Sequence, residues 1–99
     1  MNLEALQDVQ FSIFDSVVEF KIEHYQNNDR MALRLVTLEG EPYATLTINV
    51  PEVMLAEDEV IIKTYSENEY VALEAWKTDL FKDTGRRVPN LGVPIWQIK

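Results

Sequence analysis

Residues 17–50 read VVEFKIEHYQNNDRMALRLVTLEGEPYATLTINV, and the alternation within them decides the fold class. Over 17–25, Val18, Phe20, Ile22 and His24 fall on one face and Glu19, Lys21 and Glu23 on the other, the two-residue period of a half-buried strand. Gln26-Asn27-Asn28-Asp29 supplies residues that tolerate turn geometry. Over 31–38 the alternation resumes with Met31, Leu33 and Leu35 facing one way, so the two runs form a hairpin. Glu39-Gly40-Glu41-Pro42 is a second turn, and 43–50 sets Ala44, Leu46, Ile48 and Val50 against Tyr43, Thr45, Thr47 and Asn49. Three such strands in succession make an antiparallel meander.

Upstream, Leu3, Leu6 and Val9 have the spacing of one or two helical turns within 2–9. Phe11, Ile13 and Phe14 are strand-like, with Asp15-Ser16 as a tight turn or bulge before the main strand. Downstream, Pro51 ends the third strand, 52–59 is an acidic connection and 60–65 a fourth β-rich run. Ser66-Glu67-Asn68-Glu69 has the form of a capping box. It predicts a helix over 67–82 whose Ala72, Leu73, Trp76 and Leu80 share a face, packed on residues such as Phe20, Leu33 and Ile48 and stopped at Thr84-Gly85. After a basic loop with Arg86 and Arg87, residues 93–98 read as a last strand, and Pro94 within it argues for a sheet edge. The expected architecture is one α+β domain over 1–99: a four- to five-stranded, mainly antiparallel sheet with one long helix packed on one face.

Composition narrows the chemistry. The chain has no cysteine, which removes disulfides, thiolate metal sites and cysteine nucleophiles. Only three glycines, Gly40, Gly85 and Gly92, are present, so no glycine-rich phosphate loop can be written. The first residues lack a basic start and an apolar run, and no stretch nears the roughly 20 apolar residues that span a bilayer. A cytoplasmic protein with no cofactor, no metal and no membrane contact is expected. His24, the single histidine, is expected to be partly buried in a structural role, because no nucleophile or orienting acid is recognisable beside it.

Charge has the sharpest pattern. The formal net charge is −8, and residues 39–74 hold nine acids against one base, Lys63. Such a balance opposes direct contact with nucleic acid, yet a concentrated acidic surface can occupy a basic groove on another protein. The candidate partner-binding residues are therefore Glu39, Glu41, Glu57, Asp58, Glu59, Glu67 and Glu69, to which Trp96 is added as an aromatic that is either core or an exposed anchor. The plainer reading is a solvated acidic rim.

Met31-Ala32-Leu33-Arg34-Leu35 and the run Gly40-Glu41-Pro42-Tyr43-Ala44-Thr45-Leu46-Thr47-Ile48-Asn49-Val50-Pro51 resemble an uncharacterised family of short proteins from bacterial mobile elements and phages. Its members share an EPYATLTVNLP-like strand and a Gly-rich ending near a final aromatic strand. The likeness covers about the middle third of the chain, and the ending 90–96, NLGVPIW, departs from the pattern in detail. It implies a setting in which small acidic proteins bind and disable host machinery, including CRISPR effectors and restriction enzymes. The expected function is a non-catalytic interaction module, an anti-defence inhibitor of a host nucleic-acid-binding protein with a basic groove. The alternatives are an accessory homo-oligomer, dimeric through an exposed sheet edge, and a small carboxylate-based hydrolase.

Overall fold

The computed structural model describes residues 3–99. Strands β1 (Gln10–Ile13), β2 (Ser16–His24), β3 (Met31–Thr37) and β4 (Pro42–Thr45) form one antiparallel sheet in that order. The meander is therefore present, with β1 added by a hairpin whose two-residue turn is Phe14-Asp15. Phe20 pairs with Leu35 and Ile22 with Leu33, so the alternating face becomes the core, where Val18, Phe20, Leu33 and Leu35 are buried. Gly40, at φ +85, gives the β3–β4 turn a left-handed position that side chains resist.

The third strand is shorter than its alternation implies. The chain departs at Leu46, whose amide still donates to the Leu33 carbonyl at 2.9 Å while its own carbonyl accepts from Lys63 at 2.8 Å. Thr47 bridges Ile62. Its hydroxyl accepts the Leu33 amide at 3.2 Å and bonds the Tyr25 hydroxyl at 2.9 Å. A side-chain oxygen thus replaces the ladder carbonyl, and the backbone is freed to join a second sheet.

That sheet runs β5 (Glu59–Ile61), β7 (Pro94–Ile98), β6 (Phe81–Arg87). Among the described residues, seven strands in two sheets thus replace the expected four or five in one. Pro94 does not mark an edge: β7 is the central strand, and Pro94 sits at its first position, where its carbonyl accepts from Ile62 at 3.0 Å and no amide is missed. Thr84-Gly85 is a bulge within β6, not a helix stop, and Arg86 and Arg87 lie in that strand instead of a loop. Gly85 has φ +83, and its amide donates to the Asp83 carboxylate at 2.8 Å.

Helix α1 (Leu3–Gln7) buries Leu6; its expected start at Asn2 lies outside the described residues. The long helix is not present. A 3-10 turn (Ser66–Asn68) leads into α2 (Glu69–Trp76), which stops because Asp79 turns left-handed at φ +63 and Phe81 enters the core as a strand residue, 2% exposed. The capping box does not form: Ser66 is at φ +56, and Asn68 instead donates its amide to the carbonyls of Thr45 at 2.7 Å and Lys63 at 3.3 Å, fastening the turn to the sheet. The buried face of α2 is Val71, Ala72 and Ala75. Leu73 and Trp76 point outward, opposite to expectation. Small side chains on the inner face let the helix approach the sheet closely; Leu73 or Trp76 there would hold it off.

An aromatic series ties the layers together, with ring centroids 5.3 Å apart for Phe11–Phe20, 5.9 Å for Phe20–Phe81, 5.4 Å for Phe81–Trp96 and 4.9 Å for Trp96–Trp76. A smaller apolar cluster of Ile61, Val88, Val93 and Ile95 lies under the 49–58 segment. Two arginines hold that segment by its carbonyls. Arg30 donates to Val50 at 2.9 Å and also to Val53, and Arg86 donates to Met54 at 2.6 Å and to the Glu59 carboxylate at 3.2 Å.

On β6, the Arg87 guanidinium, and after it the Gly85 amide, hold the Asp83 carboxyl below the usual aspartate range. The stabilisation this gives is present above the unfolded aspartate pKa and is lost as pH falls through the lower folded value. A carbon-detected NMR titration should show Asp83 titrating below ordinary aspartate and Arg87→Gln moving it upward. An unmoved value in that variant would exclude Arg87 as the cause.

Candidate interaction site

Strand direction sorts the acidic candidates into two groups. The β1–β2 turn and the β3–β4 turn lie at one end of the first sheet: Asp15, Ser16, Val17, Thr37, Leu38 and Glu39 line a common recess there. The start of α2 reaches the same end, because the Phe14 and Tyr70 rings stand 5.2 Å apart. Asp15 and Glu39 line that recess, Glu41 follows in the same turn and Glu69 precedes Tyr70, whereas Glu67 lies beside Lys63 next to the segment that Asn68 fastens to Thr45; all five are exposed. Glu67 pairs with Lys63 at 3.0 Å, and its own backbone amide, then Lys63, hold its carboxyl below the usual glutamate range. Asp15, Glu39, Glu41 and Glu69 have no ion pair among the described residues.

Glu57, Asp58 and Glu59 are placed elsewhere. Thr47 faces Ile62 in an antiparallel bridge, so β5 runs back from there and begins at the end opposite the β3–β4 turn, roughly 25–30 Å away at about 3.3 Å per residue. Their carboxylates are also partly committed. Asp58 accepts from Gln97 at 2.7 Å, and Glu59 accepts from the Ala56 amide at 2.8 Å besides pairing with Arg86. Only Glu57 is exposed without an ion pair among the described residues. Trp96 is not an anchor. It is 6% exposed between Phe81 and Trp76, because its strand lies at the centre of the second sheet, where side chains on the inner face have no route to solvent.

His24 also differs from expectation. It is exposed at the end of β2, in a recess with Asn28, Asp29, Arg30, Leu55 and Glu57, since the inner face of the sheet ends before the hairpin turn. No group of three or more His, Asp or Glu side chains that could hold a metal ion occurs among the described residues. No helix among them is long and apolar enough to cross a membrane.

The sequence reading missed the apolar part of this end. Phe14, Tyr70, Leu73 and Trp76 are 74%, 56%, 49% and 41% exposed. A signal was there: α2 carries apolar residues on both faces, which an ordinary surface helix does not. No family model matches the chain, and no match is found among curated proteins or among solved structures.

Proposed function

We propose that this chain is a non-catalytic interaction module of a phage or mobile element. It occupies a basic groove on a host nucleic-acid-binding protein as an anti-defence inhibitor. The observation that carries this reading is that Asp15 and Glu39 line one recess, with Glu41 in the same turn and Glu69 next to Tyr70, whose ring meets Phe14, all four exposed and without ion pairs among the described residues. Spaced, uncompensated carboxylates on a rigid sheet end present the charge pattern that a basic groove attracts. The homo-oligomer reading has less support. Of the edge strands β1, β4, β5 and β6, β6 carries Lys82, Asp83, Arg86, Arg87 and a bulge, features that discourage edge-to-edge addition at that strand.

The test is capture from host lysate with the immobilised chain, followed by salt elution and a nucleic-acid competition assay on whatever protein is retained. The expected partner is a nucleic-acid-binding protein that elutes progressively as salt rises and loses its nucleic acid to the chain. The variant Asp15→Lys/Glu39→Lys/Glu41→Lys/Glu69→Lys should fail to retain it. The matched variant Glu4→Lys/Asp8→Lys/Glu52→Lys/Glu57→Lys should retain it. Equal loss in both, or a partner that keeps its nucleic acid, would contradict the reading.

A further inference from the structure

The acidic end carries an apolar face that the fold leaves uncovered. Tyr70, Leu73 and Trp76 recur every three residues on the outer side of α2, so they form one stripe, and Phe14 extends it through its contact with Tyr70. Together these four side chains expose on the order of 400 Å², a patch as large as the largest on an ordinary monomer. Val71, Ala72 and Ala75 already hold α2 to the sheet; Trp76 packs one side of its ring on Trp96, and that contact still leaves 41% of it exposed.

Phe14 is the sharper observation. It has φ +53 at the first position of a two-residue hairpin turn, where glycine is the usual residue, and a bulky side chain there is strained. The ring pushed out by this turn is also the most exposed of the four. Strain held at an exposed aromatic points toward a function for that aromatic.

We propose that Phe14 and the Tyr70–Leu73–Trp76 stripe are the docking face for an amphipathic helix of the partner, whose apolar side is bordered by lysine and arginine. This rests on the acidic-end reading above and names the element it engages. A helix fits because its side-chain ridges pack against those of an exposed helix. Basic borders fit because Asp15 and Glu69 adjoin Phe14 and Tyr70 in the chain, with no ion pair among the described residues. A second copy of this chain does not fit, since the same acidic border would meet itself. Basic helices are the elements with which many nucleic-acid-binding proteins enter a groove, which joins this face to the proposed target class.

The probe is a synthetic 18-residue helical peptide with leucine on one face and lysine elsewhere, compared with its leucine/glutamate counterpart, and titrated into the full chain by calorimetry. The leucine/lysine peptide should bind at least about tenfold tighter than its counterpart, and Phe14→Gly and Leu73→Ser should each weaken it by about tenfold, as for interface anchors. Phe14→Gly should keep or raise the thermal midpoint, because glycine suits the turn. Equal binding of the two peptides, or unchanged affinity in both variants, would overturn the proposal. If Asp15→Lys/Glu69→Lys weakens the peptide while Phe14→Gly and Leu73→Ser do not, the acidic reading stands and this docking face falls. If none of these variants matters, neither holds at this end.

Discussion

Trp96→Ala is expected to destabilise the domain by about 3–5 kcal/mol, the range for removing a large buried aromatic. Its ring is 6% exposed and touches both Phe81 and Trp76, so the deletion opens a cavity where the second sheet meets α2. Because β7 is hydrogen-bonded on both sides, its backbone has little freedom to collapse into the space. Trp76→Ala removes an equally large ring that is 41% exposed and packed on one side, and should cost less, about 2–3 kcal/mol at about 25 cal/mol per Å² of the area it buries. Urea unfolding of both variants settles the order. A larger loss at Trp76 than at Trp96 would mean that α2 presents its other face to the core.

Arg30→Met is expected to cost about 1–3 kcal/mol, the penalty for leaving part-buried acceptors without their charged donor. The methionine keeps an apolar stem but removes the guanidinium that holds the Val50 and Val53 carbonyls. The damage should be local. Amide exchange over 50–58 should accelerate while the amides of β2 and β3 keep most of their protection, because the meander has its own ladder. Arg86→Met should act on the same segment more weakly, since Arg86 is more exposed, with 45% of its side chain accessible, and solvent replaces part of what it supplies. Uniform exchange throughout the segment and the sheet in Arg30→Met would show that the strap has no local role.

The part of the fold that follows from neighbours in the chain was legible. Val18, Phe20, Leu33 and Leu35 alternate as a strand's inner face must, and the turns at 26–29 and 39–42 hold residues that permit reversal. The candidate interaction site was legible only as charge. The sequence marks Glu39, Glu41, Glu57, Asp58, Glu59, Glu67 and Glu69 as acidic, but strand direction decides which of them meet: it brings Asp15 to Glu39 and sends Glu57 to the other end.

Sequence alone determined the α+β class, the antiparallel meander, the excess of acid and the absence of cysteine chemistry, because each depends on residue type or on a spacing of a few residues. Tertiary structure decided the rest. Ser66 and Glu69 had capping roles by local pattern, yet Ser66 stands at φ +56 and the Asn68 amide fastens the turn to Thr45 and Lys63. Phe81 and Lys82 fell within the expected helix over 67–82, yet a buried place beside Phe20 and Trp96 draws Phe81 into a strand. Trp76, expected in the core, is 41% exposed because Val71, Ala72 and Ala75 form the inner face of α2, and Trp96, which the sequence left open between core and anchor, is buried between Phe81 and Trp76. In each case a long-range contact outweighs a local preference worth about 1 kcal/mol or less, and no window of neighbouring residues contains that contact.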